Sequence, residues 1–290
     1  MDYIYHVLFL VGLYCVLAIS LDVAVGKTGV LSMAHAAFFA AGAYASALCA
    51  TRLAVPFPLD VVIGALVAVT MSLVVSFAAR RLQGDYLVLC TFGLQMIVAN
   101  VLSNWISLTR GAAGISGISA PHIAGLAIDS PGKWVIVSFI AAAICWSVAA
   151  RIGASPLGRA LRAIREDDLL AQSIGKNPFA LRVTALAVSA ALAAAAGSMY
   201  ARFATFVDPS TFTATESILI VSMVLIGGSD SRWGPVLGAA FLVCFPELLR
   251  SLGLSSTASF NLRQVAYGAL LIAIVRFRPR GVVGRYTFVQ

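Results

Sequence analysis

Continuous apolar runs close to the length of a membrane-spanning helix constrain this chain more than any other feature. Spanning hydrocarbon takes ~20 residues of helix. With 60% hydrophobic and 11% charged residues, the 290-residue chain exceeds the roughly 45–50% apolar content of soluble domains. No water-soluble packing could bury this excess, so the sequence predicts an integral membrane protein. Nine candidate segments occupy approximately residues 3–21, 30–50, 59–79, 86–106, 134–150, 183–201, 215–228, 235–252 and 264–277.

The runs are continuous and rich in Ala, Leu and Val, whereas a membrane β-barrel shows short alternating segments. The predicted fold class is therefore all-α: a polytopic integral membrane helix bundle of about eight to ten segments, with one transmembrane domain over residues 1–290. Runs 30–50 and 215–228 are candidates for broken or re-entrant segments, because the first carries His35 and the second is short. The first residues lack the basic stretch of a cleavable signal, so we expect a retained helix.

The basic residues, which give a net charge of +8, cluster at the ends of the runs. They form no stripe interleaved with aromatic residues, which argues against nucleic-acid binding. If residues 157–178 face the cytoplasm and all nine runs cross, fourteen basic residues lie inside and six outside. This distribution fits the positive-inside rule, and it predicts an external amino terminus and a cytoplasmic carboxyl terminus. Without residues 159–182, the split is still nine against six.

Residues 157–178, which we call the charged island, cannot lie in hydrocarbon. Leu161 and Ile164 fall at helical spacing, Gly175 ends the pattern, and Asn177 is placed to cap the next membrane helix. The pattern predicts one short amphipathic helix. A solvated loop and a helix lying on lipid are the alternatives, although three consecutive acids disfavour anionic lipid. A protein partner is favoured. The ionised residues in or just beyond the island are Arg159, Arg162, Arg165, Glu166, Asp167, Asp168, Lys176 and Arg182.

Two motifs invite an enzymatic interpretation that their context does not support. Gly26–Thr28 resembles the end of a phosphate-binding loop, but Leu21 occupies the position of the required glycine and no strand precedes it. Lys27 is better interpreted as a basic anchor at the membrane interface. Ser116 and His122 lie six residues apart in a Gly-rich loop over 107–132, so a serine hydrolase is disfavoured. The five cysteines lack CxxC spacing, and we expect neither a metal site nor a catalytic residue.

Polar and aromatic residues inside the apolar runs are candidates for a solute path. His35 is costly in a membrane segment unless it faces protein or water, and Phe38 and Phe39 share its face at helical spacing. Gln95 and Asn100 are comparable residues in a later run. Hydrogen bonding to a neighbouring helix is the simpler interpretation, and a place along a solute path is the alternative.

Other residues suggest packing or interfacial positions. Small residues let helix backbones approach closely, and acids near the ends of runs can reach the interface. The small residues at fourfold spacing are Ala185, Ser189, Ala193 and Gly197, with Gly234 and Gly238 as a second pair, and the acids are Asp22, Glu216 and Glu247.

The island resembles the cytoplasmic loop of permease subunits of branched-chain amino acid ABC transporters, of the LivM type within the LivH/LivM permease family. Similar segments cover nearly the whole chain. Departures from the family pattern are Lys27 before the early motif and Gly-Ala-Ala-Gly at 111–114. The segments that carry the resemblance are Leu31–Tyr44, Gly84–Leu87, Thr109–Ile115, Leu157–Pro178, Val207–Phe212 with Glu216 and Ser217, Leu225–Ser229 and Arg278–Gly281.

The resemblance implies a multi-pass subunit of the bacterial inner membrane, paired with a homologous LivH-type permease subunit. It implies two cytoplasmic ATPases that bind ATP, an external solute-binding protein, and no cofactor in this chain. It also implies that the island, as the coupling loop, inserts into a groove on an ATPase. The residues carried over for this coupling are Arg165, Glu166, Asp167, Asp168, Ala171 and Gly175.

The function implied is import of branched-chain or related amino acids by alternating access, without enzymatic activity in this chain. Related permeases carry urea, amides or aromatic acids, so the solute stays open, as does the choice between a hetero- and a homodimeric permease pair. A self-sufficient secondary transporter or channel for a small polar solute is the alternative. It would need charged groups deep in the membrane, and the runs offer little beyond the polar residues named above.

Overall fold

The computed structural model describes residues 2–53, 55–82, 84–119, 121–123, 126–128, 130–251, 268–269, 272, 276 and 281–284. This part of the chain is almost entirely helical. Its α-helices are α1 (Asp2–Thr28), α2 (His35–Leu48), α3 (Phe57–Ala78), α4 (Asp85–Asn104), α5 (Ile106–Thr109), α6 (Pro131–Ala154), α7 (Pro156–Glu166), α8 (Asp168–Ser173), α9 (Pro178–Ala204), α10 (Ala214–Gly227) and α11 (Gly234–Ser251). The short elements are a π-turn (Cys49–Leu53), 3₁₀ turns (Gly111–Ala113 and Pro209–Thr211) and strands β1 (Ile115–Ser116), β2 (His122–Ile123), β3 (Leu126–Ala127) and β4 (Phe206–Val207).

Seven segments of the described chain are long and apolar enough to cross a membrane, which confirms the all-α membrane bundle. The run predicted at 30–50 begins only at His35 and continues through the π-turn to Leu53. The short run at 215–228 reaches 19 residues because a 3₁₀ turn at Pro209 precedes it. A shorter apolar stretch lies in α11, and the ninth run, 264–277, lies almost entirely outside the described residues.

Helix α1 lies at the centre of the bundle. Its residues are apolar on all sides, a pattern typical of a helix surrounded by protein. It packs against α6, α9, α10 and α11. Phe9, Leu13, Leu17 and Leu21 are fully buried along its length.

Small residues allow α2 and α9 to pack with their backbones in contact. A Cβ atom added at Gly42 would overlap the backbone of Ala194, and one added at Gly197 would overlap the carbonyl of Phe39. The predicted stripe of small residues on α9 is buried, and its Gly197 lies in this contact. Gly238 of α11 similarly lies against the carbonyl of Met223 in α10. Both predictions of close packing are confirmed.

The outer faces of α3, α4 and α6 are apolar and exposed. Leu66, Leu89, Ile97 and Ile136 each leave more than half of their surface uncovered by the chain. Such a belt is expected where lipid or another membrane subunit covers the bundle.

The two ends of the bundle carry different sets of residues. The island, Lys27 and Asp230 meet at one end, which we call the island end. At the other end, which we call the opposite end, Arg52 donates to the carbonyls of Ser107 and Leu108. Lys27 therefore lies on the side of the island and Arg52 on the other side, as the positive-inside distribution predicts.

The predicted loop at 107–132 lies at the opposite end and is built from short elements. Strand β1 pairs with β4, so the loop is tied to the segment that follows α9, and β2 pairs with β3. Ser116 belongs to the first of these small sheets and His122 to the second. Because they belong to different sheets, no strand pairing among the described residues joins Ser116 to His122 as a catalytic pair would require.

Candidate functional site

The island forms two helices, and the prediction of a single helix is wrong. Helix α7 begins after Ser155, whose hydroxyl accepts from the Gly158 amide at 3.3 Å, and it ends at Glu166. Asp167 then adopts an extended backbone and caps α8, because its carboxylate accepts from the amides of Leu169 and Leu170 at 2.8 and 3.1 Å. An aspartate side chain that competes for backbone donors in this way favours a helix start over a helix interior.

Helix α8 ends at a glycine, and the next membrane helix begins at a capped asparagine. Gly175 has a φ of 77°, and the Lys176 amide donates to the Ala171 carbonyl at 3.0 Å. This arrangement is a glycine-dependent helix stop. The Asn177 side chain accepts from the Ala180 amide at 3.2 Å and caps α9. Both predicted boundary residues therefore occupy the expected positions.

The apolar face of the island packs onto the membrane domain. Leu161 and Ile164 of α7 are buried with Ala171 of α8 and Ala185 of α9 in a small cluster separate from the main core. The buried pair in α7 is three residues apart, as the helical spacing predicted. Ala171, which the family resemblance assigned to coupling, therefore faces inward and packs.

Arg165 is the main polar anchor of the island. Its side chain is only 8% exposed, and its Nη1 donates to Asp230 Oδ2 at 3.0 Å and to the Gly26 carbonyl at 2.6 Å. These bonds join α7 to the last turn of α1 and to the loop between α10 and α11. The amide of Asp230 in turn donates to Asp22 Oδ1 at 2.9 Å. Asp22 is buried by protein and also lines a cavity at the island end, so its expected position near the interface stays a prediction.

The acids of the island have different environments. Glu166 is largely exposed and lies 3.2 Å from Arg165, so it faces away from the membrane domain. Asp168 forms an ion pair with Arg182 of α9 at 2.6 Å. This pair is the second polar link between the island and a membrane helix.

The outer surface of α8 is apolar and exposed, which the sequence reasoning missed. Leu169, Leu170 and Ile174 are 76%, 64% and 63% exposed. Three large apolar side chains on six helical residues and the turn that follows them are unusual beside so many charges. The sequence signal that could have predicted this apolar surface is the pair Leu169 and Leu170, which directly follows the three acids.

Most of the solute-path candidates lie in the packed interior. The Nε2 atom of His35 is 2.7 Å from the Ser20 hydroxyl. Phe38 and Phe39 are buried in the main core. Gln95 Nε2 donates to the Phe212 carbonyl at 2.8 Å.

Asn100 is exposed and donates to the Met96 carbonyl of its own helix. The contacts of the buried candidates favour the simpler interpretation, hydrogen bonding and packing within the protein.

A buried ion pair at the opposite end was not found from the sequence. Asp60 of α3 is fully buried, and its Oδ2 accepts from Arg202 of α9 at 2.7 and 2.9 Å. Ser46 donates to the same oxygen at 2.6 Å. Arg202 also donates to the carbonyls of Val55 and Ser119. The pair therefore holds α3, α9 and the loop after α5 together.

Within the described residues, no group of three or more His, Cys, Asp or Glu side chains is placed to hold a metal ion. The cysteines of this part are free thiols, of which Cys15, Cys49 and Cys145 are buried, Cys90 is half-buried and Cys244 is exposed. Cys15, Cys49 and Cys145 therefore match the expected small buried side chains, whereas Cys90 and Cys244 are less buried than expected.

The fold and the island together define a multi-pass membrane protein with a charged helical segment at one end of its bundle. The sequence profile of the branched-chain amino acid transport system permease component matches residues 3–275. The chain belongs to this family.

Its relatives include both permease types. The LivM permease protein of Escherichia coli K12 is 31% identical over 93% of this chain and 68% of its own length. The probable LivM of Methanocaldococcus jannaschii is 24% identical over 78% of this chain and 67% of its own length. The LivH permease protein of Escherichia coli K12 is 25% identical over 94% and 91%. No solved structure matches the chain significantly.

Proposed function

We propose that this chain is one of two homologous permease subunits of an ATP-driven importer for branched-chain amino acids, and that it moves solute by alternating access. Two ATPases would bind ATP at the island end, and an external solute-binding protein would deliver solute at the opposite end. The island end then faces the cytoplasm of a bacterial cell, as does the carboxyl terminus. Family membership and the shape of the island support this proposal.

The observation that carries the proposal is the two-sided character of the island. Its inner side is anchored by Arg165 and by a small apolar cluster, whereas its outer side presents Leu169, Leu170 and Ile174 to solvent. Exposed apolar side chains rimmed by charges are typical of a protein contact. A partner that covered α8 would bury these side chains and could move the island as one body.

The carried-over coupling residues then divide into two roles. Glu166 lies on the outer side and would contact the ATPase, and Asp167 would hold the start of α8. Arg165, Asp168 and Ala171 lie on the inner side and would transmit displacement to the membrane helices. Gly175 would allow the turn into α9, since its positive φ is costly for other residues.

Transmission would follow the polar links described above. Displacement of α7 would act on α1 and on the α10–α11 loop through Arg165 and Asp230. Displacement of α8 would act on α9 through Asp168 and Arg182. Because α1 and α9 run through the centre of the bundle, movement at the island end can reach any central path.

The test is removal of the apolar outer side of α8. The Leu169→Ala/Leu170→Ala double variant should lose at least tenfold in solute uptake and in co-purification of the ATPases, because the partner contact loses its apolar centre. Membrane insertion should be unchanged, since both side chains are exposed. The control is Ile106→Ala, an exposed apolar truncation at the opposite end. ATPase co-purification that is unaffected in the double variant would overturn the proposed contact.

A self-sufficient transporter or channel predicts a different result. Reconstituted vesicles that contain the permease subunits without ATPases would then take up solute. We expect uptake only when the ATPases and ATP are present.

A further inference from the structure

A polar cavity of about 460 Å³ lies at the island end, between the last turns of α1 and α6, helix α7 and the α10–α11 loop. Its charged lining residues are Asp22, Lys27, Arg162, Asp230 and Arg232. Three cations and two carboxylates line it, and Asp230 is already paired with Arg165 from outside the lining, so the cavity suits an anion.

Lys27 is the most informative residue of this cavity. Its side chain is 92% buried, yet its ammonium makes no hydrogen bond with any described residue, and the nearest carboxylate oxygen, Asp230 Oδ1, lies 3.7 Å away. An ammonium has three N–H donors, and this one opens onto the cavity, because its nitrogen is not among the described polar atoms that are both buried and unpaired. The sequence resemblance gave this lysine no role, and its position calls for oxygen acceptors within the cavity.

Two further cations offer donors to the same space. Arg162 lies 3.8 Å from Asp230 Oδ1, beyond hydrogen-bond distance, and its Nη2 donates to the Gly153 carbonyl at 2.9 Å. Arg232 is exposed and forms no ion pair with the described residues. Asp230 therefore does not accept hydrogen bonds from Lys27 or Arg162, and N–H donors of these cations are left for a ligand.

The surroundings of the cavity match the headgroup level of a membrane. Trp146 lines the cavity and donates from Nε1 to the Arg232 carbonyl at 2.7 Å, and its ring lies 5.2 Å from that of the exposed Trp233. Tryptophan is enriched at membrane–water interfaces. Ile144 of α6 and Leu237 of α11 do not line the cavity, but they are exposed apolar residues of the same two helices that acyl chains could contact.

We propose that this cavity binds the phosphate headgroup of an anionic phospholipid from the leaflet on the island side. Lys27 and Arg232 would donate to the phosphate oxygens, Arg162 would complete the site, and the acyl chains would run along α6 and α11. Basic pockets between membrane helices are known to take such headgroups. The site adjoins the anchor of the island, so a bound lipid would brace α7 against α1.

The experiment uses the full chain, purified in detergent with its bound partners and then stripped of lipid. Binding of phosphatidylglycerol is compared with binding of phosphatidylcholine with the same acyl chains and with binding of free glycerol phosphate. Lys27→Gln and Arg232→Gln should each weaken phosphatidylglycerol binding at least tenfold. The matched control is Arg151→Gln, which removes an exposed positive charge near the end of α6 outside the cavity lining and should change binding less than twofold.

Three results would overturn the proposal. Equal binding of phosphatidylcholine would remove the role of the anionic headgroup. Equal binding of free glycerol phosphate would assign the site to a soluble phosphate in place of a lipid. A loss in Arg151→Gln as large as in the cavity variants would reduce the effect to general surface charge. If Lys27→Gln fails to fold, the exposed Arg232→Gln carries the test alone.

Discussion

Two buried arginines hold the two ends of the bundle in different ways. At the opposite end, Arg202 bonds closely to one carboxylate, that of Asp60, and to two carbonyls in dry surroundings. At the island end, Arg165 shares Asp230 with Arg162 and Lys27, which are held at 3.7–3.8 Å beside a polar cavity. The first arrangement is closed, whereas the second has alternative partners within reach. We call the Asp60–Arg202 pair the fixed frame. We call the network of Arg165, Asp230, Arg162 and Lys27 the adjustable joint.

The largest effect should come from breaking the fixed frame. Arg202→Met would leave the fully buried Asp60 without its cation, and breaking a buried pair in this way costs about 3–5 kcal/mol. We expect little folded protein, measured as the fraction of monodisperse protein extracted from membranes. The double variant Asp60→Leu/Arg202→Met should recover part of this loss, because no carboxylate is left unpaired. Normal yield and thermal stability in Arg202→Met alone would contradict the assignment of a fixed frame.

A smaller loss is expected at the adjustable joint. Asp230→Asn keeps the shape of the side chain but weakens its bond to Arg165, and losing a charged hydrogen bond costs about 1.5–3 kcal/mol. The thermal midpoint in detergent should fall, but folded protein should remain. Asp85→Asn removes an exposed carboxylate at the same end and should leave the midpoint unchanged. A loss as large as that of Arg202→Met would show that the two ends do not differ.

The smallest effect is expected from the outer link between α8 and α9. Asp168 and Arg182 are each about a quarter exposed, so solvent weakens their attraction, and Arg182→Gln should cost no more than about 1 kcal/mol. The same thermal measurement checks this value. A drop beyond that of Asp230→Asn would reverse the proposed order of the links.

The sequence predicted the membrane helices and the grouping of Lys27 with the island, because both depend on hydrophobicity and charge that each segment carries by itself. It did not predict that the helix is interrupted at Asp167, where one carboxylate accepts hydrogen bonds from two backbone amides. Asp60 and Arg202 were missed because they lie 142 positions apart, and only the packing of α3 against α9 brings them together. The contact of Lys27 with Asp230 was missed for the same reason, since Asp230 lies far along the chain in the α10–α11 loop.

We infer that the adjustable joint couples the island to the membrane helices. The most direct measurement is the number of leucine molecules imported per ATP hydrolysed by the complete transporter in reconstituted vesicles. We predict that Asp230→Asn lowers this ratio at least fivefold while ATP hydrolysis continues, and that Asp85→Asn leaves it unchanged. An unchanged ratio in a folded Asp230→Asn transporter would show that the bond between Arg165 and Asp230 does not couple the island to the membrane helices.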